Sequence, residues 1–141
     1  MAISWRGYES YPGVALFPNE LSRADARSLY ELCMATKDER IAMLGRLAES
    51  DGVVLGHDDD ALQALNDWFS ATVEPDPDRP GRLLAEWYSV CHDIGLFLGE
   101  AMIARSPNLR WEFFTWGAKN IAYQWHVIMG FGTEPAKFHT R

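Results

Sequence analysis

The 141-residue chain carries 20 Asp and Glu against 13 Lys and Arg, a net charge of −7, with 48% hydrophobic residues and six Trp, five Tyr and seven Phe. That length and apolar content support a packed core without crosslinks and exclude a disordered chain. The acidic balance argues against nucleic acid or anionic lipid as a partner and suits a basic protein. The charge is uneven: residues 1–80 hold 15 acids and 7 bases, a net of −8, whereas residues 81–141 come to +1.

Cys33 and Cys91 have no CxxC spacing and sit in helix-like apolar patterns, as buried free thiols of a reducing compartment do. The first ten residues lack the apolar run of a signal peptide, and the most apolar segment is interrupted by charge, so a cytoplasmic protein without a membrane span is expected. We expect one domain over 1–141. It divides into an irregular arm (1–20), a helical part (21–73), a Pro-rich loop (74–82), a long helix with a β-hairpin (83–131) and a tail (132–141).

The arm is rich in aromatics and turn residues, with room for only a short strand at Val14 to Phe17. Ser22 followed by Asp25 predicts a helix start, and Leu29, Leu32 and Cys33 extend a helical face to about Ala35. Thr36 with Glu39 repeats the capping signal. A second helix is therefore predicted to about Ser50, with Ile41, Leu44, Leu47 and Ala48 inward and Asp51-Gly52 as its stop. Val53 to Leu55 offers another short strand.

Asp58, Asp59 and Asp60 precede Leu62, Leu65, Phe69 and Val73, which places negative charge at the amino terminus of a third helix, where the macrodipole favours it. A calcium loop would need alternating oxygen ligands, a central Gly and a closing Glu, none of which the run supplies. The segment Glu74-Pro-Asp-Pro-Asp-Arg-Pro-Gly81 is a loop, since its three prolines forbid helix.

Leu83 to Ser106 reads as one long helix, apolar almost all round, with Glu86, Asp93 and Glu100 at seven-residue intervals on one face. Spaced about 10.5 Å apart along the axis, these carboxylates are too distant to share a metal ion or work as an acid pair unaided. They would instead form a wet edge, clamp basic groups, or have Asp93 paired with Arg110 or Lys119. Ser89 and His92 share a face, whereas Asp93 is rotated about 100° from His92, so no triad is read. Gly95 and Gly99 make a notch for a hairpin ring such as Trp111 or Trp125, or for the helix of a second copy. His57, His92, His126 and His139 fall in no ligand spacing, and neither metal nor cofactor is expected.

After Ser106-Pro107 the period changes to two. Leu109 to Thr115 and Ile121 to Met129 predict two antiparallel strands with one apolar face toward the long helix. The second face would hold Arg110, Glu112, Phe114 and Trp116 beside Gln124, His126 and Ile128. A hairpin is marginal alone, so a third strand or packing on the helix is required. The predicted class is α+β: about four helices, one of them long and central, against a small antiparallel sheet built on a C-terminal β-hairpin.

Trp87, Asp93 and Gly99-Glu100 on the long helix, a Trp-bearing strand, and a second strand ending Val-Ile-Met-Gly-Phe give a layout over residues 21–131 that resembles small bacterial α+β domains of the toxin-immunity kind. The resemblance implies a protein that binds and blocks a partner, and it assigns no residues. The first reading is a non-enzymatic binding module, adaptor-like from the residues themselves and immunity-like as the resemblance implies. Its candidate contacts are Asp58, Asp59, Asp60, Phe114, Trp116 and His126. The alternatives are a small enzyme or ligand-binding domain with a pocket near Glu86, Asp93 and Glu100, beside His126, and a homodimer formed through Gly95 and Gly99.

Overall fold

The computed structural model describes residues 5–132. The expected tail beyond Gly132, including His139, lies outside them, as do the first four residues of the arm. A 3-10 turn (η1, Pro18–Glu20) is followed by α1 (Arg23–Glu49), α2 (Asp59–Thr72), α3 (Ala85–Arg105), β1 (Arg110–Phe113) and β2 (His126–Met129). The class is α+β, with three α-helices and, toward the carboxyl end, a two-stranded antiparallel sheet among the described residues. No helix among the described residues is long and apolar enough to cross a membrane.

Where two helices were expected between Arg23 and Ser50, there is one of 27 residues. Ser22 caps it as predicted, its Oγ accepting from the Asp25 amide at 3.1 Å. Thr36 does not cap: its hydroxyl donates to the Leu32 carbonyl one turn back at 2.8 Å, so the second capping signal is absorbed inside a continuous helix. The helix stops where predicted. Gly52 takes φ +84°, and the amides of Gly52 and Val53 donate to the carbonyls of Glu49 and Ala48, a Schellman closure that needs the left-handed residue. Asp58 caps α2 through a 2.8 Å bond from the Ala61 amide, with Asp59 and Asp60 in the first turn. Val14 to Phe17 and Val53 to Leu55 form no strand, and the sheet has no third strand among the described residues.

The chain divides into two compact units, to both of which α1 and α3 contribute. Among the described residues, the first unit gathers residues 5–14 and 37–97. Its core joins Leu44, Leu47 and Ala48 of α1, Leu65 and Trp68 of α2, and Trp87, Val90 and Phe97 of α3. Trp87 is fully buried, with the rings of Trp5, Trp68 and Phe69 at 5.2, 5.9 and 5.7 Å. Its indole N–H donates to Glu74 and that of Trp68 to Asp51, so the rings bury apolar area without an orphaned donor. The Pro-rich loop closes on itself, with the Asp76 amide donating to the Arg82 carbonyl and the Leu84 amide to Glu74.

Among the described residues, the second unit gathers residues 15–36 and 98–132. Its strands are shorter than the alternation suggested, because Gln124 takes a left-handed φ of 65° and residues 114–125 run as turns. The register sets Trp111 opposite Ile128 and Glu112 opposite Val127. Trp111 and Ile128 therefore share the face that meets Gly99 of α3, while Arg110 and Glu112 pair with Met129 and Val127, which the sequence reading had put on the other face. A one-residue change of register exchanges the faces, and the loop geometry, not the alternation, decides it. The Trp111 indole donates to Glu100 at 2.7 Å.

A Cβ on Gly99 would overlap the Trp111 ring, whereas one on Gly95 meets open space. Gly99→Ala is expected to lower unfolding free energy by about 1–3 kcal/mol through overpacking, and Gly95→Ala to raise it by up to about 1 kcal/mol through helix propensity. Urea titration of the two variants checks both signs.

Candidate functional site

In the first unit the sequence brings ionisable groups into the interior at one place. Asp93 on α3 is completely buried, and Arg40 on α1 almost so. The guanidinium grips the carboxylate at two points, Nε to Oδ1 at 3.0 Å and Nη2 to Oδ2 at 2.7 Å. Tyr8 donates its hydroxyl to the same Oδ2 and shares a 2.7 Å hydrogen bond with Ser89. Arg40 Nη2 also lies 3.0 Å from the Tyr8 oxygen and 3.1 Å from Ser89 Oγ, and Nη1 donates to the Glu9 carbonyl at 2.7 Å. Ser89 Oγ accepts the Tyr11 amide at 2.8 Å, and the Tyr11 ring stacks on His92 with centroids 3.9 Å apart.

This cluster differs from the pairing expected for Asp93. Its cation comes from α1 rather than from Arg110 or Lys119 of the hairpin. His92, despite the helical offset, turns Nδ1 to within 3.2 Å of Asp93 Oδ1. Ser89 is engaged by Tyr8, Arg40 and the Tyr11 amide, so its hydroxyl serves the network. No buried side-chain polar atom among the described residues lacks a partner.

Burial pushes the Asp93 carboxyl upward, but the hydrogen bonds from His92, Arg40 and Tyr8 and the guanidinium charge outweigh it and hold the group below its ordinary value. Burial, reinforced by the bond to Asp93, raises the Tyr8 phenol. Tyr8 is thus a neutral donor and Asp93 a charged acceptor throughout the physiological range.

The other carboxylates of the predicted row have different surroundings. Glu86 is exposed, and Glu100 accepts the Trp111 indole N–H. Asp58, Asp59 and Asp60 stand exposed at the start of α2. They belong to a wider acidic surface: by sequence the first unit holds 14 acids and 6 bases. Eleven of its carboxylate residues are exposed, against the exposed cations Arg6, Arg46, Arg79 and Arg82.

In the second unit, Trp116 is 73% exposed and Phe114 half-buried, while His126 sits opposite Phe113 with its ring 5.7 Å from that of Trp111. The predicted patch therefore does not form on one strand face. A groove of about 550 Å³ lies instead between η1 and residues 121–127, lined by Phe17, Glu20, Ile121, Trp125, His126 and Val127 among others. Phe17 and Ile121 are 54% and 89% exposed.

Sequence reasoning missed Arg40 and Tyr8, and it placed Gln124 on the second hairpin face, whereas the residue is buried and bonded to Arg23, Pro18 and Leu21. Arg40 lies among apolar positions of a helical face, between Leu44 one turn on and Cys33 two turns back, and that position was the available signal. No protein-family model, curated protein or solved structure gives a significant match to this chain.

Removing Arg40 leaves a buried carboxylate without its counter-charge. Arg40→Met is expected to cost about 3–5 kcal/mol, and adding Asp93→Asn to recover part of it. Because the folded-state value of Asp93 is depressed, its contribution is fully present above the usual carboxyl range near about 3.9 and is lost as pH falls through the lower folded value. Urea unfolding between neutral and acid pH should show this acid limb in the wild type and a shallower one in Asp93→Asn.

Proposed function

We propose that this chain is a cytoplasmic, non-enzymatic protein-binding module, of the immunity or adaptor kind, that docks a basic partner protein. The observation that carries this reading is the surface of the first unit, where eleven exposed acidic residues outnumber the exposed cations Arg6, Arg46, Arg79 and Arg82. Such a surface repels phosphate backbones and anionic headgroups, and it draws a positively charged protein into encounter. Asp58, Asp59, Asp60 and Glu86 are part of it.

The buried cluster supports the same reading from another side. Arg40, Asp93, Tyr8 and Ser89 are bonded to one another and to the backbone of residues 9 and 11, so their polar capacity goes into holding the first unit together. The long side chains exposed on the second unit, Trp116 above all, add the residue type that dominates binding energy at protein interfaces.

Affinity capture on the purified chain from a lysate of its source organism, at low and high salt, tests the proposal. A stoichiometric basic protein retained at low salt and released at high salt is the expected result. The double variant Asp59→Asn/Asp60→Asn spares the Asp58 cap and should slow association roughly two- to fivefold, with thermal unfolding confirming that it still folds despite a lost helix-dipole contribution of about 0.3–1 kcal/mol per residue. A partner that binds the variant at the same rate, or is indifferent to salt, would overturn the reading.

A further inference from the structure

We infer that the groove of the second unit is the anchor site for that partner, taking one large apolar side chain flanked by a lysine or arginine that meets Glu20. The inference rests on the partner being a basic protein and adds the contact that would give it specificity.

The groove is held in shape. One wall is η1 with Phe17 and Glu20; the other is the segment carrying Ile121, Trp125 and Val127. Gln124 joins them. Its side-chain amide donates to the carbonyls of Pro18 and Leu21, each at 2.9 Å, and its Oε1 accepts from Arg23 Nε at 3.0 Å. Gln124 is buried and non-glycine, yet holds φ 65°, a conformation that persists only where surrounding bonds over-determine it and that recurs at ligand clamps. A groove whose walls are already pinned loses little entropy when it is filled.

Its chemistry selects the occupant. Phe17 and Ile121 project into solvent at the groove, while Trp125 and Val127 supply further apolar lining. Large apolar groups standing this exposed are stabilised by a covering surface. Drug-sized ligands have most of their area enclosed in their sites, whereas here the two most prominent apolar groups stand outward, which suits a side chain presented by another protein's backbone. Glu20 is exposed on the first wall, and Arg23, three residues on, is bonded to Gln124 and to the Tyr123 hydroxyl. The groove thus offers a carboxylate beside aromatic surface, the setting in which a Lys or Arg stem lies over a ring and pairs at its tip.

The test is to pan a random peptide library displayed on phage against the full chain, then measure the enriched peptide, made synthetically, by fluorescence anisotropy. Peptides with Trp, Phe, Leu or Ile next to Lys or Arg should be enriched. Ile121→Asp is expected to weaken the peptide at least about tenfold and Glu20→Lys about fivefold. Asp59→Asn/Asp60→Asn, which probes the acidic surface of the first unit, should change it less than about twofold. Thermal unfolding of each variant verifies folding, and Glu20→Lys on η1 keeps the test decisive if Ile121→Asp does not fold. Peptides that bind both groove variants as well as the wild type, enrichment of acidic sequences, or no enrichment would overturn the inference. So would free indole competing as effectively as the peptide, which would mark a small-molecule pocket. Salt-insensitive partner capture would count against the broader functional reading alone, because it leaves the peptide result unchanged.

Discussion

The first unit is organised by a charge that water does not reach. Asp93 is held ionised inside the protein because Arg40 meets it with two parallel N–H donors and Tyr8 with a third. Bringing two ions out of water costs several kcal/mol for each, which only such dense pairing offsets. The consequence is positional. The same guanidinium bonds the Glu9 carbonyl, and Ser89 holds the Tyr11 amide, so residues 8–11 are fixed against α1 and α3 by polar contacts that tolerate little displacement. Around this node the packing of Trp87 with Trp5, Trp68 and Phe69 supplies apolar burial that is strong but non-directional. The ion pair supplies the direction.

The second unit reaches a comparable result with a neutral group. Gln124 spends both ends of its amide on the segment around η1 and on Arg23, and its backbone amide donates to the Phe114 carbonyl. A two-stranded sheet is weak by itself, and here it is supported by Trp111, which fills the space left by Gly99 and bonds Glu100, and by the Gln124 clamp. The loop between the strands is thereby a defined surface rather than a tether, which is why it can form one side of a groove.

The functional proposals draw on these two constructions in different ways. In the proposed role the acidic surface of the first unit would act at a distance, on encounter rate, with an effect that falls with salt and distinguishes partners only by charge. The groove of the second unit would act at contact, through shape and the burial of one or two large side chains, with salt felt mainly through Glu20. Binding proteins that must be both fast and selective divide the work in this manner, with steering from many weak charges and specificity from a few well-packed anchors.

The helices were legible in the sequence because their signals are local. Ser22, Gly52 and Asp58 cap or stop helices where they stand, and the apolar period carries the elements between them. The same local logic over-read Thr36, whose hydroxyl had an intrahelical acceptor one turn back that no capping rule weighs. The hairpin was legible as two alternating runs, but its register was not, since alternation is unchanged by a shift of one residue and Gln124 broke it. Least visible was the company of Asp93. Its burial was consistent with its helix, yet the choice of Arg40 rather than Arg110 or Lys119 depends on which segment folds against which, across 53 positions of chain. The sequence alone determined the class, the net charge and its concentration among the earlier residues. The tertiary structure decided which charges are spent in the interior and which face solvent, because burial and pairing are properties of neighbours that the chain brings together only on folding.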